Sequence, residues 1–118
     1  MTAQAPTDQV GTELLFENDS VRVWSMELAP GETSPVHRHQ IDYLIAYVTP
    51  SRISLIRDGV VVQTDDFKDG YVQYIHVPQP IVHQITNAAR AGHRQLIVEL
   101  KVREGLSPTS DNGRKVPA

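Results

Sequence analysis

The chain has 118 residues, enough for one compact domain and too few for two of ordinary size. With 40% hydrophobic residues, a net charge of -3 and no cysteine, it can bury a core. It carries no basic stretch suited to a phosphate backbone, and it excludes disulfides, a thiolate zinc site and a cysteine nucleophile. Any metal must therefore be held by His, carboxylate or Tyr side chains. The first ten residues, MTAQAPTDQV, lack a charged segment followed by an apolar one, and no run approaches the ~18 apolar residues needed to cross a bilayer. No nucleic-acid or membrane partner is expected, and the expected setting is the cytoplasm.

Both ends are polar and contain Pro, Gly or Ser, so residues 1–11 and 104–118 read as flexible arms around an ordered body over 12–103. Within the body, short apolar runs alternate with polar residues in eight segments. In chain order these are VRVWSMEL (21–28), TSPVHRH (33–39), YLIAYV (43–48), RISLI (52–56), VVVQT (60–64), YVQYIHV (71–77), IVHQIT (81–86) and HRQLIVELKV (93–102). Turn chemistry separates them at Pro30-Gly31, Asp58-Gly59, Asp69-Gly70 and from Asn87 to Gly92, with Asp58-Gly59 the best tight hairpin. No window shows a sustained helical period and no internal repeat stands out. The pattern is that of an all-β sandwich or barrel.

Two motifs sit on this frame. Gly31, His37, His39, Tyr43 and Pro50 follow the spacing of the first cupin motif, G(x)5HxH(x)3,4E(x)6G, with the glycine and both histidines matched. Val72, Pro78, Pro80, His83 and Asn87 follow the second, G(x)5PxG(x)2H(x)3N, with Pro78, His83 and Asn87 matched. The chain thus resembles the cupin superfamily, and among its members the small single-domain bacterial cupins with an RmlC-like jelly roll. Tyr43 stands where the family carries its glutamate ligand, and Pro50, Val72 and Pro80 stand where it carries glycine. Because Pro80 fixes φ near −65°, the loop before His83 is expected to take its own path. The resemblance implies a double-stranded β-helix, or jelly-roll barrel, with a metal site inside it formed by His37, His39 and His83.

The residues support the same chemistry independently. Alternate side chains of a strand share a face, so His37, His39, Ile41, Tyr43, Ile45 and Tyr47 line one side, and Asp42 joins them only if a bulge reverses the alternation. A third imidazole from a neighbouring strand, His83, completes a facial set that leaves positions open for water, substrate or dioxygen. Imidazole suits Fe2+, Ni2+, Cu2+ and Zn2+, with Mn2+ less favoured by nitrogen alone. Neutral ligands leave the ion's full charge, which favours an anionic fourth partner.

Tyr43 inherits the place of the absent carboxylate. A phenol ordinarily titrates near 10, so a packing or substrate hydrogen-bonding role is expected ahead of ligation. His76 is a candidate base or substitute ligand, with an ordinary strand position as the plainer reading, and His93 is expected at the surface. Glu99 could supply the missing carboxylate from the last strand if it points inward. Arg22, Arg52 and Arg57 could face a bound carboxylate, although a solvated strand face is the simpler assignment.

The expected function is that of a metal-binding cupin acting as a small metal-dependent enzyme. Three-histidine cupins include dioxygenases acting on dicarbonyl compounds, so a dioxygenase for a small oxo or dicarbonyl compound is the first reading within that class. The alternatives are a non-catalytic barrel that holds a small metabolite, and a metal-independent isomerase or lyase with His76 or His83 as base and Tyr43 as acid. Open strands need cover, which favours a homodimer.

Overall fold

A computed structural model describes residues 5–101. These form nine strands and no helix: β1 (Glu13–Glu17), β2 (Val21–Leu28), β3 (His37–His39), β4 (Tyr43–Tyr47), β5 (Ser51–Arg57), β6 (Val60–Phe67), β7 (Val72–Ile75), β8 (Ile81–Asn87) and β9 (His93–Leu100). They pair antiparallel in two sheets, one ordered β1-β2-β9-β4-β7 and the other β3-β8-β5-β6. The all-β expectation holds. No helix among the described residues is long and apolar enough to cross a membrane.

Alternation explains why these segments are strands and which face is buried. On β9, His93, Gln95, Ile97 and Glu99 are buried, while the residues between them are more exposed. On β2, Trp24, Met26 and Leu28 turn inward to meet them. The core gathers these with Val10, Tyr43, Tyr47, Ile53, Val77 and Ile85. Asp58 and Gly59 both have positive φ, 52° and 77°, which makes the two-residue β5–β6 turn whose twist matches the flanking strands.

Three elements differ from the sequence reading. β1, sequence ELLFE, breaks the alternating pattern because a register irregularity falls between Leu14 and Phe16. One extra residue in a bulge scrambles the inward-outward alternation that marks a strand. The segment read as a strand over 33–39 is paired continuously only from His37, with Thr33 in a lone bridge to Thr86; the intervening Pro35 has no N–H to donate.

The third difference is the amino-terminal arm. Within its described part, Thr7 exchanges backbone hydrogen bonds with Val36 and Arg38, and Asp8 accepts two bonds from the Arg38 guanidinium, at 2.9 and 3.1 Å. Val10 is fully buried. These anchors are backbone bonds and one ion pair, which polar composition does not reveal. The expected carboxy-terminal arm, 104–118, lies outside the described residues.

Gly11 is where this arm presses on β2. A Cβ there would stand 2.5 Å from the Trp24 Cβ and 2.7 Å from the Ser25 carbonyl oxygen, neither of which can swing away. Gly11→Ala is expected to cost about 1–3 kcal/mol through this overlap, read as a lower midpoint in urea denaturation. An unchanged midpoint would show that the arm gives way without cost.

Candidate metal centre

β3 is only three residues long, yet it sets His37 and His39 on one face with Arg38 turned away from them. β8 lies beside it in a register that puts His83 directly opposite His37. The three imidazoles therefore converge, with ring centroids 4.7 to 4.9 Å apart, and one ligand nitrogen from each falls within 4.8 Å of the others. His83 reaches this position even though Pro80 replaces glycine before it.

Hydrogen bonding sets the tautomers. The His37 Nδ1 lies 3.0 Å from the Pro35 carbonyl oxygen, which only accepts, so Nδ1 carries the proton and the Nε2 lone pair is free. His39 Nε2 and His83 Nε2 face each other at 3.1 Å, while the Nδ1 atoms of both are buried without a partner. His37 and His39 are 3% and 2% exposed. Burial lowers the pKa of all three, and mutual repulsion adds to it at the other two, bringing His39 to about 2 and His83 to about 3. The cluster is thus neutral at physiological pH.

His39 and His83 are spaced as two ligands of one metal, with His37 beside them. Two nitrogens at right angles, each about 2.1 Å from one ion, stand about 3.0 Å apart, close to the 3.1 Å observed between His39 and His83. An ion would take both lone pairs, whereas without one a single proton must be shared across that contact. A narrow void of ≈ 50 Å³ lies against the three rings, with Met26, Tyr43 and Gln95 also in its wall. It shares Tyr43, Ile53, His83 and Ile85 with a larger cavity of ≈ 230 Å³.

Tyr43 stacks on His39 with centroids 4.0 Å apart and planes at 12°. Burial pushes its phenol up to about 12, against a smaller opposing pull from Arg57. Strand parity therefore places Tyr43 beside the cluster, in contact with a ring rather than within the set of three. Tyr47 also lines both voids, stacked on Phe67.

The other candidates lie elsewhere. Asp42 faces outward, where its carboxylate accepts from the Val77 N–H at 2.7 Å and from the Tyr74 hydroxyl, with His76 Nδ1 at 3.1 Å. His76 is on the same outer face with its side chain 71% exposed, and it does not line either void. No bulge brings Asp42 inward. Glu99 does point inward, as one Cα partner of Tyr43, but its Oε1 already accepts from Arg22 Nε at 2.6 Å and Trp24 Nε1 at 2.7 Å.

His93, expected at the surface, is 3% exposed. Its Nε2–H donates to Gln95 Oε1 at 2.7 Å, which leaves Nδ1 to accept from the Ser51 hydroxyl at 2.6 Å. The signal for this was present, since His93 and Gln95 have the parity of buried Ile97. Asn87, from the second motif, is fully buried and ties loops together: its Nδ2 donates to the Leu28 and Ala91 carbonyls and its Oδ1 accepts from the Ala89 N–H.

No family model matches the sequence, and no curated protein matches it. Solved structures do resemble the fold. A cupin domain from Bordetella pertussis Tohama I superposes with a TM-score of 0.68 at 20% identity, covering 85% of this chain and all of that one. An RmlC-like cupin family protein with a double-stranded β-helix from Methanocaldococcus jannaschii gives 0.57 at 17% identity, over 75% of this chain and 76% of that one. The polyketide cyclase RemF from Streptomyces resistomycificus gives 0.52 at 20% identity, over 74% and 58%. Two facing antiparallel sheets, the inward histidines of β3 and β8, and these likenesses agree on one architecture: the chain has the cupin fold, a double-stranded β-helix.

Proposed function

We propose that the protein is a metal-dependent enzyme whose divalent ion is held by His37, His39 and His83. The observation that carries this reading is the convergence of three buried, neutral imidazoles at a void that joins a larger cavity. The His39 and His83 Nε2 atoms face each other, and a bound cation gives their two lone pairs a common partner. Bound there, the ion supplies Lewis acidity toward a carbonyl or oxyanion and, if it is iron, dioxygen chemistry.

The chain's own residues do the rest. Isoleucines 45, 53 and 85 keep the approach dry and hold the substrate against the histidines. Tyr43 keeps its proton and donates a hydrogen bond to a substrate oxygen. A dioxygenase acting on a small oxo or dicarbonyl compound is the first reading within this class. His76, on the outer face, has no part in it.

Metal analysis of untagged protein should find close to one Fe, Ni, Cu, Zn or Mn ion per chain, and iron-loaded protein should consume oxygen with 1,3-diketones or 2-oxo acids. Protein that takes up none of these ions would overturn the reading, and a metal-loaded protein inert to oxygen would overturn the dioxygenase assignment. Tyr43→Phe removes only the hydroxyl; its expected effect is a roughly 10- to 100-fold fall in kcat at unchanged metal content, the size of a lost hydrogen bond to a charged oxygen. Full activity in that variant would reduce Tyr43 to packing.

We also read the protein as a homodimer. Edge strands β1 and β6 expose Leu14, Leu15, Phe16 and Val60 to Val62, a hazard that pairing with a second copy removes. Sedimentation should give the mass of two chains at micromolar concentration, and one-chain mass throughout would exclude it.

A further inference from the structure

The larger cavity carries opposite charges at its two ends. On β5 the side chains of Ile53, Leu55 and Arg57 share the inward face. The β5–β8 register pairs Ile53 with Asn87 and Leu55 with Ile85, so its continuation sets Arg57 beside His83. On β6, Asp65 stands opposite Ile53. Ile53 and Arg57 are four residues apart, about 13 Å along a strand. The two charged side chains therefore border the cavity at separate ends.

Neither charge is neutralised by the other or by a neighbour. No ion pair to Arg57 or Asp65 occurs among the described residues. Asp65 accepts a hydrogen bond from the Gln63 side-chain amide. The field of Arg57 reaches Tyr43 and His83, while that of Asp65 reaches Tyr47. Between the ends the wall is mostly apolar, built from Ile45, Leu55, Ile75, Ile81 and the Phe67 ring that stacks on Tyr47 at 4.3 Å, with Gln63 and Gln73 as its polar members.

We infer that the cavity takes a small amphoteric organic molecule, its carboxylate or enolate at the His83–Arg57 end and an ammonium or hydroxyl donor at the Asp65 end, with an apolar segment between them. The inference rests on the proposed metal site for one of its two oxyanion contacts and on Arg57 for the other. A plain anion offers Asp65 no cationic or donor partner, and a plain cation meets Arg57. The volume of ≈ 230 Å³, below the usual range for drug-sized ligands, limits the molecule to on the order of ten heavy atoms.

Calorimetry on the full, nickel-loaded chain with 6-aminohexanoate, hexanoate and hexylamine tests this, with nickel content measured on the same samples. The two-ended molecule should bind at least tenfold more tightly than either one-ended analogue. Arg57→Gln should weaken its binding at least tenfold while the metal contact remains, and Asp65→Asn should bring it level with hexanoate, both at unchanged nickel content; both side chains are exposed, so folding is not at stake. Equal affinity for hexanoate and 6-aminohexanoate in the unaltered protein, or no binding of any of the three at millimolar concentration, would overturn the inference. If the chain takes up none of Fe, Ni, Cu, Zn or Mn yet keeps the two-ended preference, the inference stands and the metal reading falls.

Discussion

His39→Leu should abolish stoichiometric metal binding while making the metal-free protein more stable in acid than the parent chain. The side chain is 2% exposed and uses one nitrogen against His83, with the other left unpartnered. Leucine fills similar space without the orphaned atom. The pH dependence follows from the lowered pKa of about 2, set first by burial and then by the charges of His37 and His83, against 6.5 for a free imidazole. Above 6.5 neither the folded nor the unfolded chain protonates this group, and the term is absent. As the pH falls from 6.5 toward 2, the unfolded chain takes a proton that the folded chain refuses, so folding loses about 1.4 kcal/mol per pH unit.

The leucine variant lacks that loss. In urea denaturation of metal-free samples, the stability difference between variant and parent should grow by about 1.4 kcal/mol for each unit below pH 6.5. A stability difference that stays constant with pH would show that the folded chain protonates His39 as readily as the unfolded one. Retention of one tightly held ion per chain by His39→Leu would remove His39 from the ligand set.

Much of the fold is legible in the residues because the core is built by alternation. VRVWSMEL at 21–28 is read with its bounds intact, since Trp24, Met26 and Leu28 share one face and nothing interrupts them. β1 escapes because its bulge places Leu14, Leu15 and Phe16 in succession, all exposed. The histidine cluster is legible for two reasons: parity within β3 aligns His37 with His39, and the β3–β8 register, hinted at only by motif spacing, brings His83 across. The fates of the carboxylates are not legible. Asp42 follows simple parity, but Glu99 is inward and already engaged by Arg22, 77 residues away, and by Trp24. Side-chain partners across that distance depend on the closed sheet, which no local pattern encodes.

That engaged carboxylate leads to the second large effect. Arg22→Met should destabilise the protein by about 3–5 kcal/mol, the usual cost of leaving one member of a buried ion pair without the other. Glu99 has a side chain only 4% exposed, whereas Arg22 is 31% exposed and keeps contact with water. Removing the arginine therefore strands the more deeply buried partner, with the Trp24 indole N–H as its remaining hydrogen bond. Glu99 is also a strand partner of Tyr43, whose ring lies on His39. Disorder at this end of the barrel would thus reach the candidate metal centre through one pair of neighbouring side chains. The expected reading is a fall in Tm of roughly 10 to 20 °C. Glu99→Gln should cost less, because its amide oxygen can still accept from both Arg22 and Trp24. If Arg22→Met lowers Tm by no more than 2 °C, on the order of 0.5 kcal/mol, Glu99 tolerates burial without its cation. The arginine would then be a surface residue that happens to lie near it.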